Sequence, residues 1–139
     1  MEGTYTILIK IQNNSIIRIG KLGKINFKKG FYAYVGSALN GLENRVNRHL
    51  RKEKKLWWHI DYLLEKAEIV EVIYAETDSK FECKIARNLY ENSEFIKKFG
   101  CSDCKCKSHL FYSTDFDNLK NLTISAFREN KLTPGFYNH

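Results

Sequence analysis

The sequence has a single proline, Pro134, near its end, and it lacks any Gly/Ser-rich linker, low-complexity tract or internal repeat. Without such punctuation, 139 residues read as one compact unit, because single domains cluster at roughly 100–150 residues. The expectation is one domain over residues 1–139, with residues 132–139 as a loose C-terminal tail. No uncharged apolar run approaches the roughly 18 residues that a membrane helix needs, and no signal-peptide core lies between Glu2 and Lys10. A soluble, cytoplasmic protein with no membrane partner is therefore expected. Disorder is excluded for most of the chain, since 43% hydrophobic and 14% aromatic residues supply a core. A secreted disulfide framework is missing too. Of the four cysteines, Cys83 stands alone, while Cys101, Cys104 and Cys106 sit together, a pattern that suits metal ligation or buried thiols better than disulfides.

Acidic residues are scarce where basic ones are dense. The chain carries a net charge of +7, and residues 1–55 hold 12 basic against 3 acidic side chains. A field of one sign gathered in one region attracts polyanions, which makes nucleic acid the first partner to consider. A solvated, solubilising face explains the charge equally well.

Thr4 to Ile11 alternates and is rich in β-branched residues, Asn13-Asn14 signals a turn, and Ser15 to Ile19 is again β-rich, so the chain is expected to open with a hairpin. Phe31 to Gly36 reads as a further strand. After a break at Asn40-Gly41, Leu42, Val46 and Leu50 recur at i, i+4 and i+8, the apolar stripe of a helix. Residues 57–64 suggest a second helix, Ile69 to Tyr74 a strand, Phe81 to Tyr90 a helix, His109 to Tyr112 a short strand and Asp115 to Asn130 a last helix. The fold class is α/β of the α+β type, with strands and helices partly segregated.

On the first helix, Arg45, His49 and Lys52 fall at i, i+4 and i+7, which places them on one face beside the core stripe. With Arg48, Arg51, Lys54 and Lys55 close by, residues 45–55 form a phosphate-attracting segment, the candidate nucleic-acid contact. Gly3-Thr4-Tyr5, then Tyr34-Val35-Gly36-Ser37-Ala38, then Arg45 and His49, resemble the GIY-YIG nuclease superfamily. Lys21-Leu22-Gly23, Arg45-x2-Arg48-His49, Trp58-His59-Ile60-Asp61-Tyr62 and Gly100-Cys101-Ser102-Asp103-Cys104-x-Cys106-x2-His109 resemble its DUF123 branch, over roughly residues 3–113.

That resemblance implies a small, mainly antiparallel three-stranded central sheet flanked by helices, and the spacer from Tyr5 to Tyr34, longer than in most of the superfamily, adds the expectation of an extra strand around Lys24 to Phe27. It further implies hydrolysis of DNA phosphodiester bonds with one divalent cation, Mg²⁺ or Mn²⁺, and association with a DNA-repair enzyme. By motif position Tyr5 and Tyr34 resemble the paired active-site tyrosines, with Tyr32 on the same strand face, and Arg45 resembles the transition-state arginine. His49 stands one turn further on, His59 resembles a second histidine, and Glu82 resembles the metal-binding glutamate. A later active-site asparagine corresponds to Asn88 or Asn92.

The chemistry is coherent in itself. A guanidinium fork suits the nonbridging phosphate oxygens, a carboxylate suits Mg²⁺, and a tyrosine or a histidine of pKa near 7 suits the deprotonation of water. The alternative is a noncatalytic nucleic-acid-binding module in which the same residues serve packing and helix capping. Cys101, Cys104, Cys106 and His109 either hold one structural Zn²⁺ or form an apolar, hydrogen-bonded turn.

Overall fold

The computed structural model describes residues 1–38, 41–101 and 104–137. Asn40, at the expected chain break, and Ser102 and Asp103, within the cysteine motif, lie outside the described residues. The fold is α+β, with a mainly antiparallel sheet and four helices. In chain order these are β1 (Gly3–Ile11), β2 (Ser15–Arg18), β3 (Lys24–Phe27), β4 (Gly30–Ala38), α1 (Leu42–Leu50), α2 (His59–Leu64), β5 (Glu68–Glu76), α3 (Glu82–Asn92), β6 (Glu94–Phe95), β7 (Leu110–Ser113), α4 (Phe116–Glu129) and β8 (Gly135–Phe136).

The main sheet has six strands, in the order β6-β7-β4-β1-β5-β8. Its long central strands are β4, β1 and β5, nine residues each. Strand β1 does not pair with β2. Both of its edges are occupied, by β4 from Gly3↔Ala38 to Ile11↔Gly30 and by β5 on the other side, so β2 turns away to pair with β3 in a separate ribbon. The expected opening hairpin is thus replaced by a central strand covered on both faces, and only Lys10 of β1 is exposed. The strand expected at residues 24–27 is present.

Successive side chains of β1 feed two cores. Tyr5, Ile7 and Ile9 face Leu42 and Val46 of α1 and Ile60 and Leu63 of α2. Leu8, with Ala33, Val35 and Ile73, faces Ile85 and Leu89 of α3 and Leu119 and Phe127 of α4. Helix α4 starts where its cap residue permits, the Asp115 side chain accepting the Asn118 N–H at 3.2 Å. Of the expected loose tail, residues 135–137 are tied down, and Asn138 and His139 lie outside the described residues. Gly135 and Phe136 pair with β5, the Tyr137 N–H donates to the Val72 carbonyl, and its hydroxyl donates to Asn47. A strand edge left open by β5 supplies the partner, something the two-residue strand itself cannot signal. Among the described residues no helix is long and apolar enough to cross a membrane.

Candidate active site

A cleft of about 1080 Å³ opens over the ends of β1 and β4, between the start of α1, the start of α2, the first turn of α3 and the loop at Gly100. Tyr5, Tyr34, Arg45, His59 and Glu82, drawn from five elements, all line it. The strand register explains the tyrosines. Tyr5 lies opposite Gly36 and Ile7 opposite Tyr34, which puts both phenols on one face. Gly36 is needed there, because a side chain on it would overlap the Tyr5 hydroxyl. Tyr32 shares the face but is fully buried further along β4, donating to the Lys28 carbonyl at 2.6 Å outside the cleft, so it does not substitute for Tyr34.

Arg45 is held from two sides. One guanidinium N–H donates to the Ser37 carbonyl at 3.1 Å, and the plane lies 4.5 Å from the centre of the Trp58 ring. The Arg48 guanidinium sits 4.4 Å from the same ring. Arg48 also makes a two-pronged pair with Asp61 at 2.8 and 2.9 Å, and Asp61 Oδ2 accepts the N–H groups of Trp57 and Trp58. Burial alone would raise the Asp61 carboxyl, but Arg48 and these two amides hold it below its ordinary value. Trp58 and Asp61, adjoining the site in sequence, are therefore the frame of the arginine pair. Their aromatic and acidic character was visible, but their mutual contact was not.

His49 differs from the expectation. Only 2% exposed, it lies beneath the cleft, with Nε2 2.8 Å from the Tyr5 hydroxyl. Burial drives its pKa down to about 3, so the ring is neutral near pH 7 and is not the base of pKa near 7 that the sequence suggested. Its Nδ1 has no hydrogen-bond partner among the described residues. An orphaned buried N–H costs more than an orphaned acceptor, so the favoured tautomer carries its proton on Nε2 and donates to Tyr5. Tyr5 can then direct its own proton elsewhere. Burial pushes the Tyr5 phenol up to about 12 against the opposing Arg45 charge, and burial likewise raises Tyr34 well above the usual value. His59 Nδ1 accepts the Gly100 N–H at 2.8 Å, so its neutral ring presents Nε2–H as a donor, and burial lowers its pKa.

The segment 45–55 does not act as one surface. Arg45, Arg48 and Arg51 line the cleft, but Lys52, Lys54 and Lys55 do not. Helix α1 ends at Leu50, which leaves Lys52 on the exposed chain beyond it, off the face shared by Arg45 and His49. Lys54 turns back to cap the helix, donating to the carbonyls of His49 and Arg51 at 2.8 and 3.0 Å. Lys21, quoted in the sequence only as part of a family motif, and Lys80, which no motif marked, also line the cleft. Among the described residues, five cations there face one carboxylate, Glu82. Asn88 and Asn92 lie on the far side, where Asn88 bonds to Glu129 and Asn130.

The cysteine motif is also rearranged. Cys83, Cys104, Cys106 and His109 bring one donor atom each to within 4.8 Å of one another, close enough for a metal ion. Cys101 is not among them; its thiol points to the Phe99 carbonyl at 3.5 Å. Bends at Cys104 and Lys107 keep this segment from being extended, which is why two cysteines one residue apart converge. Cys83, distant in sequence, is brought in by the first turn of α3.

Nothing matches this chain among curated proteins or among solved structures. One family model, described as "Domain of unknown function DUF123", matches residues 4–132.

Proposed function

The chain belongs to the DUF123 family, and from that premise we propose that it is a GIY-YIG-type, metal-dependent endonuclease that hydrolyses DNA phosphodiester bonds. The observation that carries the reading is the convergence of Tyr5, Tyr34, Arg45, His59 and Glu82 on one cleft whose other charged groups are cationic. A phosphodiester is the anion that such a site fits. The reading is supported by the adjacency of the three long strands β4, β1 and β5 in the sheet.

Arg45, anchored by Ser37 and Trp58, presents a pre-oriented fork to the nonbridging oxygens. Tyr5 receives the His49 proton donor on its oxygen and donates its own hydroxyl proton in a hydrogen bond to a nonbridging phosphate oxygen, while the attacking water releases its proton to solvent. His59, through Nε2–H, donates to an oxygen of the bound phosphate. Glu82 is the residue that would hold Mg²⁺ or Mn²⁺, and one carboxylate suffices for an ion that keeps most of its waters and shares substrate oxygens. Such an ion, when bound, supplies neutralisation of charge on the phosphate and the leaving oxygen. A cytoplasmic setting and work beside a DNA-repair enzyme belong to the same reading.

The noncatalytic DNA-binding reading has one observation in its favour, since Tyr5, Tyr34 and His49 are all held in their neutral forms. Incubation with nicked, branched, damaged and single-stranded DNAs, with and without Mg²⁺ or Mn²⁺, separates the two. Cleavage is expected with metal only. Arg45→Ala should slow it by roughly two to three orders of magnitude, the range for one transition-state donor. Glu82→Ala should abolish metal-dependent cutting while leaving DNA binding intact. Binding without cleavage of any substrate in the panel overturns the nuclease in favour of the binding module.

A further inference from the structure

We propose that Cys83, Cys104, Cys106 and His109 form a tetrahedral zinc site that fastens the first turn of α3 to the loop before β7. The proposal stands apart from the reaction assigned to the cleft. Its geometry can be checked against zinc itself. Bonds of about 2.3 Å to sulfur and about 2.0 Å to nitrogen, arranged tetrahedrally, set sulfur–sulfur edges near 3.8 Å and sulfur–nitrogen edges near 3.5 Å. His109 Nε2 lies 3.5 Å from Cys104 Sγ and 3.9 Å from Cys83 Sγ, and no donor pair exceeds 4.8 Å. Closing on an ion thus asks for side-chain shifts of about 1 Å or less.

The donor set selects the metal class. Three sulfurs and an imidazole are too soft for Mg²⁺ or Ca²⁺ and match a closed Cys₃His zinc site. Three thiols gathered without a cation gain little from one another, and as thiolates they repel, whereas a dication turns the same crowding into attraction.

The loop is built around its histidine. The His109 N–H donates to the Phe99 carbonyl at 2.8 Å, and its carbonyl accepts from Val35 at 3.0 Å. Gly100, at φ +74°, passes so close that a side chain there would stand 3.1 Å from His109 Cβ and 3.2 Å from Tyr34 Cε1. The same Gly100 amide holds His59. Cys83 directly follows Glu82, so the metal would join the element carrying Glu82 to the loop that positions His59 and backs Tyr34.

The test uses the full chain, purified reduced and loaded with Zn²⁺ or Co²⁺. One equivalent of zinc should be retained, and cobalt should give the intense visible band of a tetrahedral ion with thiolate charge transfer from three sulfurs. Mass mapping after alkylation should find Cys83, Cys104 and Cys106 protected by zinc and modified once the metal is removed. Loss of a supporting outer-shell group alone costs roughly 10–100-fold in affinity, so Cys83→Ser should weaken zinc binding by more than about 100-fold, and Cys101→Ser should not. Because Cys83→Ser can unfold the domain, the wild-type stoichiometry, spectrum and alkylation pattern decide independently. A folded, reduced chain that holds no stoichiometric zinc overturns the site, as does alkylation of Cys83, Cys104 and Cys106 that zinc does not slow.

Discussion

Gly36 has no side chain because Tyr5 lies where one would be, and Tyr5 lies there because His49 meets its hydroxyl from below. This stacking of three residues from β4, β1 and α1 sets the protonation of the site. His49 titrates near 6.5 in the unfolded chain and near 3 when folded. Between those values the unfolded state binds more protons, so stability should be fully present above pH 6.5 and fall as pH drops below it. By pH 4.5 this one ring accounts for about 2–3 kcal/mol. Urea unfolding from pH 7 to 4.5 should show the wild type losing about that much more than His49→Gln, with the His59 contribution common to both. Equal losses in the two proteins would mean that the folded ring titrates normally. Single-residue chemistry was partly legible in sequence. Tyr5, Tyr34, Arg45, His59 and Glu82 do converge, whereas the depth of His49 depends on the α1 crossing over β1, which residue spacing cannot express.

The junction between α1 and α2 shows why charge in sequence is a poor guide to binding. Arg48 belongs to the densest basic stretch, yet its fork closes on Asp61, whose side chain is wholly buried and also gathers the amides that start α2. Removing one member of such a pair leaves a buried, uncompensated charge. Arg48→Ala should therefore cost about 3–5 kcal/mol in urea unfolding, while Arg51→Ala, on exposed chain three residues later, should change stability by no more than about 0.5 kcal/mol. Indistinguishable midpoints for the two variants would remove the strut role. Element existence was mostly legible here, because apolar periodicity marks α1, α3 and α4, a β-branched run marks β1, and alternating aromatic residues mark β4. Pairing was not. That β1 joins β4 and β5 rather than β2, and that Cys83 meets His109, depends on the meeting of residues far apart in sequence.

At the scale of the whole molecule the two faces of the sheet divide the work. Helices α3 and α4 cover one face, and α1, α2 and the β2–β3 ribbon cover the other, leaving the cleft where the ribbon and helices part. The surplus of positive charge gathers in residues 1–55 of the sequence, but those residues fall on several elements, so overall attraction to DNA says little about where DNA sits. The cleft makes a sharper claim. Lys21, Arg51 and Lys80 line it and are exposed, whereas Lys52 and Lys55 belong to the basic segment but stay outside it. On duplex DNA, every phosphate that the protein no longer neutralises reduces the slope of log K against log salt by about 0.9. Neutralising Lys21, Arg51 and Lys80 to glutamine should therefore flatten that slope by about 2–3 and weaken binding to all sequences alike. Arg128→Gln with Lys131→Gln, on the α4 side, should leave the slope within about one unit, and Lys52→Gln with Lys55→Gln should fall between. If the cleft triple keeps the wild-type slope while the Lys52 and Lys55 pair loses it, DNA follows the loop after α1 instead, and the cleft cations serve some other anion.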